Sequence, residues 1–181
     1  MSAPSNQPVL DSHCAACGAP FAAPAEVTSR TCADCGITAY RNPLPVAVAL
    51  LPVTDAHGTG LVVITRAIAP RRGDRALPGG FIDLGESWQD AVVRELGEET
   101  GIEATAAEVR LADALSSPQH LLLFGLLPPR LAAELPPSAP TDETEGWELL
   151  REPAELAFPL HTEAVRRWFA GEYRAGSAPL A

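Results

Sequence analysis

Residues 80–102 read GFIDLGESWQDAVVRELGEETGI, and this stretch decides most of what the chain can be. Ser87 suits a helix N-cap, with Asp90 three residues on completing an approximate capping box. Gly101 suits the left-handed residue just past a helix end. No proline interrupts the run between them, so it reads as a helix advancing about 100° per residue. On that wheel Trp88, Ala91 and Val92 share a stripe that continues into Glu95, Glu98 and Glu99. The carboxylates fall at i, i+3 and i+4, which brings them together on one face. They also sit near the helix C-terminus, where the macrodipole disfavours negative charge. Crowded acids in that place call for a cation. Oxygen ligands favour a hard divalent ion, Mg²⁺ or Mn²⁺, which keeps waters and binds substrate phosphates.

Position for position, the stretch resembles the Nudix box: glycine, five residues, glutamate, seven residues, then Arg-Glu-apolar-x-Glu-Glu-x-Gly-apolar. The resemblance implies hydrolysis of a diphosphate that links a nucleoside to another group. It implies metals held by Glu95, Glu98 and Glu99 with the carbonyl of Gly80. It gives Arg94 the task of orienting those glutamates and Glu86 that of supporting the loop-helix geometry.

Composition narrows the rest. The 181 residues suffice for one good core and a small appendage. Net charge is −10, and every basic residue other than histidine is arginine. Without lysine there is no Schiff-base chemistry, and the acidic balance argues against general affinity for nucleic acid or anionic membranes. The opening MSAPSNQPVLDSH lacks the charged and apolar regions of a signal peptide. No apolar run reaches the roughly 18 residues of a membrane span. The expectation is a cytoplasmic protein with a small nucleotide substrate, no membrane partner and no nucleic-acid partner.

All four cysteines fall early, as Cys14-x-x-Cys17 and Cys32-x-x-Cys35, each pair followed by glycine. Two such knuckles fit a Cys₄ zinc ribbon. Disulfides do not suit a reducing cytosol, and no thioredoxin-like context surrounds either pair. His13 adjoins a shell already complete. The ribbon is too small to fold by burial alone, so Zn²⁺ supplies its stability. Its mixed charges suit docking, or stabilising a homodimer, better than reading DNA.

Residues 1–41 are therefore expected to form the ribbon, 42–173 the Nudix domain and 174–181 a frayed tail. Residues 46–53 and 61–66 read as apolar strands, with a turn at 54–60 between them. Further strands are expected near 109–115, 121–127 and 147–150, and a helix over 161–173 with Val165, Trp168 and Phe169 on one face. This order fits the α/β Nudix fold, an α/β/α sandwich with a mixed sheet. Ribbon, Tyr40-Arg41-Asn42-Pro43 linker, hairpin and box together resemble the zinc-ribbon Nudix group, which includes NADH and FAD pyrophosphatases and ADP-ribose hydrolases. Two stretches depart from it. Ser116–His120 stands where NADH pyrophosphatases carry a SQPWPFP-like motif, and Arg75-Ala76 where a tryptophan often precedes LPGG.

Substrate contacts are sought among the arginines upstream of the box, where a guanidinium fork suits a diphosphate. Arg66, at the end of a strand facing the site in the resembled family, leads, with Arg75 next; Arg71 and Arg72 read as a solvated loop. One acid among Asp142, Glu143 and Glu145 matches a loop glutamate of related hydrolases, and Glu145 is the choice. His120, between two strand candidates, could contact a base or ribose. Rival readings are a nucleoside triphosphate or specialised biosynthetic diphosphate hydrolase, and a non-catalytic module sensing ADP-ribose-like ligands.

Overall fold

The computed structural model of the protein describes residues 12–21 and 29–173. The chain divides into two compact units, Met1–Pro43 and Leu44–Ala181. The tail expected from residue 174 lies outside the described residues.

In the first unit, strands β1 (Ser29–Thr31) and β2 (Thr38–Tyr40) pair antiparallel. The turn between them carries Cys32 and Cys35. The two cysteine knuckles repeat one hydrogen-bond pattern: Gly18 N–H donates to the Cys14 carbonyl and Gly36 N–H to that of Cys32. Both glycines are left-handed, with φ of 74° and 72°, a conformation in which a side chain is strained.

The second unit holds two mixed sheets. Strands β3 (Leu44–Leu50), β7 (Gly79–Phe81), β8 (Arg110–Ser116) and β9 (His120–Leu126) form one, in the order β7-β3-β9-β8, with β3 and β9 parallel. The other runs β10-β4-β5-β11, from β4 (Pro52–Asp55), β5 (Gly58–Arg66), β10 (Arg130–Leu131) and β11 (Thr144–Leu150); β6 (Arg75–Ala76) pairs with β5 off that path.

The single strand expected over 46–53 is thus two, in different sheets. The Leu50 carbonyl accepts from Leu127 N–H and the Leu51 carbonyl from Val62 N–H, so the chain passes between sheets at that peptide. Pro52 has no N–H with which to extend the first ladder.

Helix α1 (Trp88–Thr100) closes one face and α2 (Pro159–Phe169) the other. Alternation along β3 feeds both cores. Ala47 and Ala49 meet Ala91, Val92 and Leu96 of α1. Val48 and Leu50 meet Ala164 and Val165 of α2. The layers are the expected α/β/α sandwich. Among the described residues no helix is long and apolar enough to cross a membrane.

Candidate active site

Helix α1 starts as its sequence predicts: Ser87 Oγ accepts from Asp90 N–H at 3.1 Å. It ends at Gly101, whose φ is 74° and whose N–H donates to the Gly97 carbonyl. The apolar stripe anchors the helix, and the acid stripe that continues it divides. Glu95 and Glu99 are buried, Glu99 with only 4% of its surface exposed. The Glu98 side chain stays 63% exposed, although it faces the same cavity.

Arg94 organises these acids. Its Nε and Nη2 donate to the two Glu86 oxygens at 2.8 and 3.0 Å, a bidentate grip. Its Nη1 reaches Glu95 at 2.6 Å and Glu98 at 3.2 Å, and Nη2 also reaches the Phe81 carbonyl at 3.0 Å. Glu86 is held in turn by the Asp83 N–H at 3.0 Å. The guanidinium and that amide keep the Glu86 carboxyl below the usual range.

Strand β7 lies hard against the helix. A Cβ added to Gly80 would sit 2.4 Å from a Glu95 carboxylate oxygen, and one on Gly79 would sit 2.4 Å from the Ala47 carbonyl oxygen. At Gly79 the close approach is to backbone and requires glycine; at Gly80 an added Cβ would displace the Glu95 carboxylate. Gly79 N–H donates to Glu99 Oε2 at 2.9 Å.

Burial raises the pKa of Glu95 against the pull of Arg94. It pushes Glu99 up to about 8, with the charges of Glu95 and Glu143 adding to the effect. Buried carboxylates with one arginine among them are a donor set that a hard divalent cation would neutralise. The residues present therefore fit such an ion.

These acids line one end of a cavity of about 740 Å³, within the range of small-ligand sites. Arg66 and His120 line it too, as the sequence suggests. Arg66 lies over the Phe158 ring, 5.2 Å from its centroid, and donates from Nε to the Pro70 carbonyl at 2.9 Å. His120 packs against Phe81, ring centroids 5.9 Å apart.

Two expected contacts lie elsewhere. Arg75 does not line the cavity; β6 turns it towards Glu148 on β11, 3.4 Å away. Glu145 is exposed outside it, and Glu143 takes the place on the wall. Thr144 opens β11 and donates from Oγ1 to the Glu99 carbonyl at 2.8 Å; Glu143 stands in the bend just before the strand, while Glu145, next along it, is exposed. The sequence reading also passed over Phe158 and His161, which reach the cavity from the start of α2. The Pro159 after Phe158 marks a helix start, but nothing local says where that start docks.

In the first unit the four cysteine sulfurs lie within 4.8 Å of one another. Cys14 and Cys35 are 3.7 Å apart, Cys17 and Cys32 3.6 Å. A tetrahedron with Zn–S bonds of ~2.3 Å has edges of about 3.8 Å. The sulfurs thus fit one zinc ion and are unpaired as disulfides. The Cys17 and Ala16 amides bring the Cys14 thiol down to about 7, while the neighbouring sulfurs push Cys17 up and burial pushes Cys35 up.

Comparison with known proteins agrees with this geometry. A profile described as NUDIX domain matches residues 43–170. An ADP-ribose pyrophosphatase of Methanocaldococcus jannaschii is 32% identical over 140 residues, covering 73% of this chain and 80% of the relative. The NAD-capped RNA hydrolase NudC of Deinococcus radiodurans is 26% identical over 149 residues, 79% of this chain but only 45% of the longer relative. Among solved structures, a NUDIX hydrolase from Nitrosomonas europaea shares the fold with a TM-score of 0.66 at 22% identity, over 87% of this chain and 90% of that one.

Proposed function

The chain belongs to the NUDIX family, and on that premise we propose a divalent-metal-dependent hydrolase of nucleoside diphosphate derivatives, with ADP-ribose, FAD and NAD(H) its preferred substrates. Cleavage yields AMP and a second phosphorylated product. The observation that carries this reading is the Arg94 grip on Glu86, Glu95 and Glu98, set against a glycine edge at one end of a substrate-sized cavity.

Glu95, Glu98 and Glu99, with the Gly80 carbonyl, would hold Mg²⁺ or Mn²⁺. When bound, the ion activates water and neutralises charge at a diphosphate oxygen. Arg94 fixes the Glu95 and Glu98 carboxylates in place and is itself fixed by Glu86. Arg66, which also lines the cavity, would present its guanidinium to the diphosphate. Glu143 lines the same cavity near Glu99 and would take a proton from the attacking water. A module that only senses ligands has no need of this acid set.

The names of the relatives favour the substrate class: one is an ADP-ribose pyrophosphatase, another acts on NAD-capped RNA. A net charge of −10 opposes a more highly charged triphosphate. Zn²⁺ on Cys14, Cys17, Cys32 and Cys35 is structural and supplies folding energy to the first unit. The test is side-by-side kinetics of ADP-ribose, FAD, NADH, NAD-capped RNA and the nucleoside triphosphates, with Mg²⁺ and with Mn²⁺. Higher kcat/KM for a small dinucleotide or ADP-ribose is expected. A preference for a triphosphate, or full turnover in excess EDTA, refutes the proposal.

A further inference from the structure

His161 stands on the first turn of α2, 4% exposed, in the wall of the cavity that holds the carboxylates. Its Nδ1 accepts a hydrogen bond from Leu77 N–H at 3.3 Å. A ring nitrogen that accepts carries no proton, so the proton of the neutral ring is on Nε2. Among the described residues Nε2 has no hydrogen-bond partner. It is also absent from the buried polar atoms sealed away without one, which among the described residues comprise Trp147 Nε1 alone. The structure thus holds a donor in a fixed orientation, on a buried ring that lines the cavity, and unused by the protein.

Its surroundings narrow what it meets. Phe124 and Phe158 pack edge-on against the ring, with centroids 6.1 and 5.1 Å away, and fix its plane. Phe158 also carries the Arg66 guanidinium on its face, 5.2 Å from the centroid. Arg66, Phe158 and His161 therefore touch in series, and all three line the cavity. The Leu77 amide that positions His161 is two residues from the Gly79 amide that positions Glu99. Two residues span at most about 7 Å of chain. One short segment thus sets the distance between a carboxylate on α1 and an imidazole on α2. Burial and the Arg66 charge lower the His161 pKa to about 3, so the ring remains a neutral donor throughout the working pH range.

We propose that His161 is a substrate-positioning residue whose Nε2–H donates to a non-bridging oxygen of the bound diphosphate, beside Arg66 and across from Glu99. This rests on the reading of the cavity as a nucleoside diphosphate site and adds a recognition element from α2. A neutral donor fits an oxygen of a diphosphate bridge already faced by Arg66. It orients the group without adding positive charge that would compete with a cation at the carboxylates.

The test pairs two substitutions with a spectroscopic reading. His161→Asn keeps an acceptor for Leu77 N–H but withdraws the donor from the cavity; His161→Gln reaches further and restores a donor. Asn is expected to raise KM for ADP-ribose about tenfold, the worth of one hydrogen bond, with Tm lowered by the lost ring packing but the fold retained at the assay temperature. Gln is expected to recover most of that loss. In ¹⁵N-labelled wild type at neutral pH, the His161 imidazole should show the Nε2–H tautomer. Its Nε2 resonance should move on adding α,β-methylene ADP-ribose or inorganic pyrophosphate with Mg²⁺. An Nδ1–H tautomer, a resonance unmoved by both probes, or a KM for the Asn variant within twofold of wild type overturns the inference. Failure of wild type to hydrolyse ADP-ribose would instead defeat the substrate assignment, and the pyrophosphate titration would still decide the role of His161.

Discussion

Replacing Gly80 by alanine is the sharpest probe of how the site is built. The new Cβ would lie 2.4 and 2.7 Å from the two Glu95 carboxylate oxygens and 2.6 Å from the carbon between them, where ordinary contact begins at 3.4 Å. Something must move by about 1 Å. Strand β7 cannot retreat, because Gly79 is pressed on the Ala47 carbonyl and both glycines are paired with β3. Helix α1 cannot either, because Ala91, Val92 and Leu96 are fully buried behind it. The Glu95 carboxylate must therefore swing, breaking its 2.6 Å bond to Arg94. A catalytic group misplaced by about 1 Å can cost roughly 100-fold in rate. The overpacking itself is expected to cost about 1–3 kcal/mol of stability. The assay is kcat/KM for ADP-ribose at saturating Mn²⁺, with circular dichroism and Tm on the same samples. Adding Glu95→Asp, which shortens the clashing side chain, should restore Tm without restoring activity. The double variant should then lose little more than Glu95→Asp alone, the non-additivity expected of a shared contact. Activity of Gly80→Ala within threefold of wild type would refute this account of the glycine.

Glu98→Gln preserves shape but removes charge at the exposed acid of the set, and kcat is expected to fall roughly 100-fold or more with the fold intact; single-turnover kinetics and Tm check both halves. Purified protein should hold about one zinc per chain by elemental analysis, and Cys32→Ser should lose it and unfold the first unit in NMR spectra while Mn²⁺-dependent turnover persists. The folded pKa of His161 lies below its unfolded value of 6.5, at about 3, so its contribution to stability is present above pH 6.5 and is lost as pH falls towards 3. Urea titrations should show wild type losing up to ~1.4 kcal/mol per pH unit from this group in that window, a slope that His161→Gln removes; parallel pH profiles for the two proteins would count against it.

The parts of the fold legible in the sequence are those encoded within a few residues. Helix α1 announces its cap, its stripe and its stop, all within residues 87–101, and the structure puts each where the spacing predicts. The two knuckles are equally local, since each CxxCG repeats one turn. The division of 46–53 into β3 and β4 was not legible. An apolar run looks alike whether it stays in one buried sheet or crosses to another, and Leu127, the partner that holds its first part in the other sheet, lies far along the chain. The register of β11 is a similar case. Glu143, on the cavity wall, lies just before the strand starts, and Glu145 lies within a register shift between Thr144 and Trp147; no composition signal marks the start or the bulge.

The site follows the same division. Its ionic end is carried by one helix and one edge strand close in sequence, so Arg94, Glu86 and the three glutamates can be found by counting. Its other end is assembled by tertiary contact. Arg66 from β5, Phe158 and His161 from α2 and His120 from β9 meet only because both sheets and both helices enclose one space. This separation matters for specificity. On the proposed reading, the local motif sets the reaction class, and the two histidines, the arginine and the phenylalanine from three distant segments would set what is held against it. Substitutions there should change which diphosphate is chosen while leaving the hydrolytic chemistry in place.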